Sequence, residues 1–525
     1  MKGKRKSEYK PLLFTTTLRN PERIKVFLSV IAKYDKEILT NDVIKKIVFD
    51  LISSKIYIPT YVNRTPYLKK QLLSDAHFSK TDTETIIIHS KQEHKEAGFD
   101  RGWPSRFDTW YKFLKELGLV YYSMNEPIEM SEAGLKLVMA NQEGYEHLEE
   151  QVFLNCFAKY QRNNPFRRIS NCNNPLILLL STIEELQKHF GKSFCGVSVK
   201  EIPLFLVWKD SNYKELANKI ISIRMKYGFS PSDDYIYESC KEILELTNKD
   251  EKRFKKSNLL KELPDEFIRK MRLTGLISIR GMGRFIDINK AEQSKIDYVL
   301  ANYSGIKYFE NEKDCFDYMK SIDYNLINIK RNIVFSSDDS RKLFLHWVDS
   351  FDIDTLIEEI NILAKTNAKS SNDTLKYINE PLRLEFVTAL ILQKHFTNVY
   401  VKPNYSFDDE GLPTSFAQGG TPDIECFDEN GDVLFEVTLL TGAAQNIREM
   451  PAICRHLVDR KEKQKNSFSV LLAPYIHQDT LKYAQFEKYN DDLDIVPMDI
   501  TTFSSTIKSK ASVFDYQIYF NYRLY

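Results

Sequence analysis

Apolar side chains recur at helical spacing through residues 20 to 55. Asn20 and Pro21 are placed to cap and open a first helix, and LTNDVIKKIVFDLI starts a second. The chain therefore opens on a predicted helical layer. Over residues 108 to 140 the pattern changes: a helix at DTWYKFLKE, a stop at Gly118, a strand, a turn around Asn125 to Pro127, a short strand and another helix. The same order returns at 264 to 300. There a helix stops at Gly275, LISIR and RFIDI flank the tight turn Gly281-Met282-Gly283, and a helix follows. ELGLVYY and LTGLISI correspond, which makes a weak internal repeat of architecture.

Residues 210 to 260 are charge-rich and helical, and 301 to 345 have mixed periodicity that reads as connecting chain. Beyond DTLIEEINILAK and the polar break KSSNDT, helices and strands alternate as in an α/β domain. DVLFEVTLL has period two: Val433, Phe435, Val437 and Leu439 face one way, and Leu434, Glu436, Thr438 and Leu440 the other. Asp423 begins the preceding strand, and DENGD is predicted to turn through Asn430-Gly431.

Composition narrows the class. At 525 residues the chain exceeds one compact core and should form two to four domains. With 42% hydrophobic and 28% charged residues it reads as soluble and globular. No apolar run reaches the roughly 18 to 20 residues of a membrane span. The basic amino terminus has no apolar core of a signal peptide, so the chain is expected in the cytoplasm. Seven cysteines show neither a C-x-x-C pair nor zinc spacing, which favours reduced thiols. Lys+Arg 74 against Asp+Glu 73 leaves +1 and argues for no partner. Residues 1 to 25 nevertheless hold Lys2, Lys4, Arg5, Lys6, Lys10, Arg19, Arg23 and Lys25 against Glu8 and Glu22. Such a run either tracks phosphates or is simply a solvated terminus.

The two helix-hairpin-helix patterns fit winged helix-turn-helix units, in which a helix enters a groove and a hairpin flanks it; singly, either is equally a plain packing unit. Together they favour DNA reading. Arg101, Arg106 and Lys112 stand with Trp103 in DRGWPSRFDTWYK, and Arg280 and Arg284 flank the tight turn, so these five are the candidate DNA contacts. In the carboxy-terminal half, Glu436 points from a strand expected to be buried, where a carboxylate is costly without compensation. Asp423 on the antiparallel neighbour can meet it at the sheet end. Two carboxylates brought together repel, and a divalent cation relieves this. Glu385 lies one turn into EPLRLEFVTALILQKHF, opposite the Leu384, Val387, Ile391 stripe, and is either a third ligand or a solvated acid. NIREMPAICRHLVDRKEK, read as one helix, adds Arg448, Arg455, His456 and Arg460. Three oxygen donors, an imidazole and guanidiniums are the parts of metal-assisted phosphodiester hydrolysis. His456 on its own is more often a satisfied core or helix-surface residue.

Pro422-Asp423, a spacer of twelve residues and Glu436-x-Thr438 resemble the PD-(D/E)xK nuclease core. The wider run of Glu385, TPDIE, LFEVTLLTG and ICRHL, with FTTTLRNPERIKVFLSVIAKYD near the start, resembles more narrowly the AlwI/PleI/MlyI-type Type IIS restriction endonucleases and their strand-nicking relatives. The resemblance implies a multidomain α+β protein: winged-helix DNA-recognition subdomains over 1–145 and 146–300, a linker at 301–345, and over 346–525 an α/β PD-(D/E)xK domain with a central mixed sheet. It implies Mg²⁺ held by Glu385, Asp423, Glu436 and Val437, and catalysis by Glu385, Asp423, Glu436 and His456. It also implies double-stranded DNA as partner, a cut at fixed distance from a short asymmetric site, a bacterial cytoplasmic setting, and a second nuclease domain from self-association or a small subunit for double-strand cleavage. One departure from the wider superfamily stands out. Its lysine, two residues beyond the Glu, is Thr438, which supplies no cation, and His456 is the candidate to act in its place. The competing readings are a DNA-binding regulator with an inactive nuclease domain, and a nuclease of the same fold acting on RNA or single strands.

Overall fold

The computed structural model describes residues 7–14, 18, 22–72, 76–143, 147–246, 254–365, 369–417 and 419–517. Asn20 and Pro21, and the basic Lys2, Lys4, Arg5, Lys6 and Arg19, lie outside them. The chain is a mixed α+β protein of two compact units, one formed by most of the chain up to Val334 and the other chiefly by Phe335 onward, to which Ala76, Glu143 and His147 also belong.

The first unit is largely helical. Helices Glu22–Ala32 and Asn41–Ser53 form the opening layer, the second capped where Thr40 Oγ1 accepts the Val43 N–H. Helix Trp103–Glu116 ends at Gly118, whose φ of 70° is left-handed and whose Cβ would stand 2.3 Å from Met319 Cβ. Glycine is required there both by conformation and by space. Strands Val120–Tyr121 and Glu129–Met130 pair antiparallel, and helix Glu132–Glu143 follows. The second pattern gives helix Leu263–Arg272, strands Ile277–Arg280 and Phe285–Ile288, and helix Gln293–Tyr303. A third strand, Val197–Ser198, joins Phe285–Ile286 and was not signalled in the sequence, because two residues are too short to show a period.

Residues 301 to 345 do not behave as a simple connection. Helices Glu312–Met319 and Tyr324–Ile327, capped by Asn311 and Asp323, bury Cys315, Phe316, Met319, Leu326 and Ile327 within the first unit. Elements of this length carry too few turns for a clear period.

The second unit begins with helices α1 (Ser337–Ser350), α2 (Ile353–Leu363) and α3 (Glu380–His395). Strands β1 (Tyr400–Pro403), β2 (Ser406–Phe407) and β3 (Pro413–Ser415) follow, then β4 (Ile424–Asp428) and β5 (Gly431–Val437). Next come α4 (Ala443–Arg448), α5 (Met450–Lys461), β6 (Ser467–Ala473), α6 (Gln478–Asp491), β7 (Ile495–Asp499) and α7 (Ile500–Thr506). The sheet order is β7-β6-β5-β4-β1, with β5 central. β5 pairs parallel with β6 and antiparallel with β4, so it is the seam of a mixed sheet. Its buried side chains explain the near-continuous apolar run around Glu436.

The β4–β5 turn differs by one residue from the sequence expectation. Gly431 pairs with Asp428, so the loop is Glu429-Asn430, and Asp428 Oδ1 accepts both Asn430 N–H at 2.9 Å and its side-chain amide at 2.8 Å. Gly431 is needed for another reason: its φ is 148°, and a Cβ would sit 1.8 Å from the Asn466 carbonyl oxygen. The helix read over NIREMPAICRHLVDRKEK is two, breaking at Glu449, with Pro451 in the first turn of the second.

Candidate active site

The β4–β5 ladder runs from Asp428–Gly431 to Ile424–Phe435, and one further step places Asp423 opposite Glu436. Asp423 Oδ2 accepts the Val437 N–H at 2.7 Å, which ties its carboxyl to the end of β5. Glu436 Oε1 is 2.7 Å from His456 Nδ1, on the second turn of α5. Thr438 donates its hydroxyl to Glu449 Oε1 at 2.9 Å and accepts the Leu440 N–H at 3.0 Å. Glu436 and Thr438 share one face of β5. Glu449, which caps the start of α5, and His456 within it are seven residues apart, about two helical turns, and lie on one side of the helix. Strand and helix thus each contribute two side chains to one place.

Electrostatically this is a crowd of acids. Loss of solvent pushes the Asp423 carboxyl well above its ordinary range; the charges of Glu436 and Glu449 add to this, and the Val437 N–H opposes it. Glu436 is likewise held well up, first by burial and then by Glu449. Glu449 is raised by burial, against the Thr438 hydrogen bond and the charge of Arg448. His456 is lowered by burial, against Asp423, so its imidazole favours the neutral form. Three carboxyls that retain protons too readily are what a hard divalent cation would relieve, and their oxygens are the donors such a cation prefers. The residues therefore fit Mg²⁺, although among the described residues no three His, Cys, Asp or Glu side chains are already gathered as a metal cage.

Asp423, Glu436 and His456 are brought together as the sequence suggested, and Glu449 is the member that sequence reasoning missed. Its signal was available: Pro451 marks a helix start and so puts Glu449 at a helix junction rather than in mid-helix. Glu385 is not a solvated acid. It is 3% exposed, and every residue of α3 from Leu382 to Gln393 is buried, because the helix packs against α1, α2 and the sheet. Its charge, after burial, helps to hold the Tyr405 phenol well above its ordinary value.

The AlwI restriction endonuclease family model matches residues 115–380 and 340–506, most of the chain. The chain belongs to the AlwI restriction endonuclease family. This is the family its motif run resembles, and membership makes the AlwI-family protein a restriction nuclease with DNA as substrate. Among curated proteins none matches it. Among solved structures, the small subunit R.BspD6I2 of the heterodimeric restriction endonuclease R.BspD6I is 23% identical, covering 30% of this chain and 77% of that one at a TM-score of 0.26. Restriction endonuclease FokI is 12% identical, covering 98% of each chain at a TM-score of 0.24; FokI bound to DNA gives 12%, 98% and 99%, and 0.24. At TM-scores this low none of the three bears on the reading of the site. No helix among the described residues is long and apolar enough to cross a membrane.

In the first unit of this AlwI-family protein the five candidate DNA contacts separate. Arg106 is committed inward, with Nη1 2.8 Å from His94 Nε2 and its guanidinium over Tyr57 and Trp110. Lys112 pairs with Glu96 at 2.8 Å and Asp108 at 2.9 Å. Arg280 donates to Asp287 Oδ2 at 2.7 Å and to the Ile288 carbonyl at 3.2 Å. Arg101 is exposed and paired with Glu93, and Arg284 is exposed beside the turn, its Nε donating to the Gly281 carbonyl at 3.0 Å. Of the basic amino terminus, Lys25 is buried against Glu149 at 2.5 Å. In the second unit Arg460 is engaged by Glu425 and Asp432. Arg448 and Arg455 are exposed.

Proposed function

We propose that this protein is a Mg²⁺-dependent Type IIS or strand-nicking endonuclease: it binds a short asymmetric site in duplex DNA and hydrolyses a phosphodiester at a fixed distance outside it. The observation that carries the reading is the joining of Asp423, Glu436 and Glu449 with His456 at one end of β5. Asp423, Glu436 and Glu449, with the Val437 carbonyl and Glu385, would hold Mg²⁺. When bound, the cation supplies an activated water and neutralises charge on the reacting phosphate.

The chain's own residues do the rest. Asp423 is oriented by the Val437 N–H and Glu449 by the Thr438 hydroxyl, so neither carboxylate must be ordered when DNA arrives. His456 presents Nδ1 to Glu436, which fixes the ring, and its neutral form leaves Nε2 to accept a proton or orient water. Thr438 replaces a cation with a means of recruiting a third carboxylate. In the first unit the two helix-hairpin-helix patterns act as winged helices, with Arg284 at a wing tip and Arg101 nearer the first hairpin as phosphate contacts. One chain has one such centre and cuts one strand. Double-strand cleavage then takes a second nuclease domain, by self-association or from a smaller subunit.

Supercoiled plasmid incubated with wild type and with Asp423→Ala, each with Mg²⁺ and with EDTA, tests this by gel and end-mapping. Discrete nicked or linear products from wild type with Mg²⁺ alone are expected. Site-specific duplex binding without cleavage under every condition would instead favour a sequence-specific DNA-binding protein whose nuclease domain is inactive or partner-dependent, the reading that Thr438 at the lysine position keeps in view.

A further inference from the structure

The sheet face that carries the acidic centre carries a second group of charges beside it. Along β4, Glu425 and Phe427 continue the face of Asp423; along β5, Leu434 and Asp432 continue the face of Glu436, with Leu434 opposite Glu425 and Asp432 opposite Phe427. Helix α5 lies over this face. One turn beyond His456, Arg460 holds Glu425 Oε1 with Nη2 and Asp432 Oδ2 with Nη1 at 3.3 Å, its guanidinium 5.2 Å over the Phe427 ring. Lys402 of β1 adds a second cation to Glu425 at 2.8 Å. The outer acids are thus neutralised by cations of the chain, whereas the inner ones are bonded by the Val437 N–H, the Thr438 hydroxyl and His456.

This difference gives Arg460 a task. Ile453 and Leu457, buried under α5, attract it to the sheet, but apolar contact is non-directional and tolerates small slips along or around the helix axis. A planar guanidinium forked between two carboxylates does not. Arg460 and His456 are four residues apart and face the same way, so fixing one fixes the other.

We propose that Arg460 is a positioning residue: its fork onto Glu425 and Asp432 sets the rotation and register of α5 that bring the His456 imidazole to Glu436. The proposal rests on the reading of Asp423, Glu436, Glu449 and His456 as the hydrolytic centre.

The test is steady-state nicking of supercoiled plasmid by the full chain at saturating Mg²⁺, for Arg460→Met, Arg460→Lys, His456→Ala and the double variant Arg460→Met/His456→Ala, with thermal melts beside each. Arg460→Met should lower kcat roughly 10- to 100-fold, the usual cost of losing a partner that orients a site residue, with KM for DNA within about twofold of wild type. Arg460→Lys, which reaches one carboxylate but cannot fork, should recover part of kcat. The double variant should be no slower than His456→Ala, because an effect that acts through the imidazole vanishes once the imidazole is gone. Wild-type kcat in Arg460→Met, or losses that multiply in the double variant, would overturn the proposal. Should Arg460→Met fail to fold, Glu425→Gln, which weakens one prong and leaves Asp432, enters the same comparisons. His456→Ala cleaving like wild type sinks the reading of the site and the proposal with it, whereas an inactive His456→Ala beside a fully active Arg460→Met sinks the proposal alone.

Discussion

Replacing Thr438 by valine removes a hydroxyl and keeps the shape of the side chain. Two hydrogen bonds go: the donation to Glu449 Oε1 at 2.9 Å and the acceptance from Leu440 N–H at 3.0 Å. Leu440 is only half-buried, so its N–H finds water and contributes little. The bond to the Glu449 carboxylate is the larger loss. A hydrogen bond to a charged group contributes about 1.5–3 kcal/mol, which corresponds to roughly 10- to 150-fold in an equilibrium. If Thr438 holds Glu449 in place for Mg²⁺, the Mg²⁺ concentration for half-maximal nicking should rise about 10- to 100-fold in Thr438→Val. DNA affinity in EDTA should not change, and Thr438→Ser should restore most of the metal response. Glu449→Gln and the Thr438→Val/Glu449→Gln double variant should be equally impaired, since Thr438 has no further part once its partner is gone. A wild-type Mg²⁺ requirement in Thr438→Val would refute the coupling, and a fully active Glu449→Gln would remove Glu449 from the site altogether.

Asp423→Asn should abolish nicking yet raise the melting temperature of the metal-free protein, increasingly so as pH rises above the ordinary carboxylate range. Because the folded-state value of Asp423 lies above the ordinary 3.8, the folded chain binds a proton that the unfolded chain has released; stability therefore falls as pH rises from about that value through the folded one and is lowest above it, a penalty asparagine does not carry. Gly431→Ala should lose about 2–4 kcal/mol in urea unfolding, because the new methyl meets the Asn466 carbonyl and the backbone is held at a φ of 148°. Arg284→Ala should leave stability within about 0.5 kcal/mol and reduce the salt slope of DNA binding by about 1. Arg280→Ala should instead cost roughly 3 kcal/mol of stability by stranding Asp287, which is 5% exposed; equal effects of the two on DNA binding with no loss of stability would contradict this division.

The acidic pair was legible because a strand hairpin is a local object. Period two in DVLFEVTLL fixed the face of Glu436, and a short turn brought Asp423 opposite it. Even there the loop was misplaced by one residue, since the demand on Gly431 comes from Asn466, far along the chain, and not from the turn. Glu449 is hidden because the helical period of the sequence runs unbroken across 446 to 463, and only Pro451 betrays the junction. The burial of Glu385 was not legible for a more general reason. An apolar stripe predicts one buried face, but α3 is covered on every side, and nothing local distinguishes a helix with one neighbour from a helix with several. The inward commitment of Arg106, Lys112 and Arg280 was likewise unreadable, because their partners are set by packing.

The seam at β5 also orders the events of folding. β4 and β5 are joined by a two-residue loop, and such hairpins close in about 1–10 μs; the parallel partner β6 is reached only across α4 and α5, a slower closure. Two adjacent amides report the two stages. Val437 N–H is bonded to Asp423, inside the hairpin, and Thr438 N–H to the Leu472 carbonyl on β6, so pulse-labelled hydrogen exchange should protect the first before the second. A nascent chain therefore displays Asp423 and Glu436 face to face before Glu449 and His456 have docked. With these residues as the proposed hydrolytic centre, the power to cut DNA is then among the last properties the folding domain acquires.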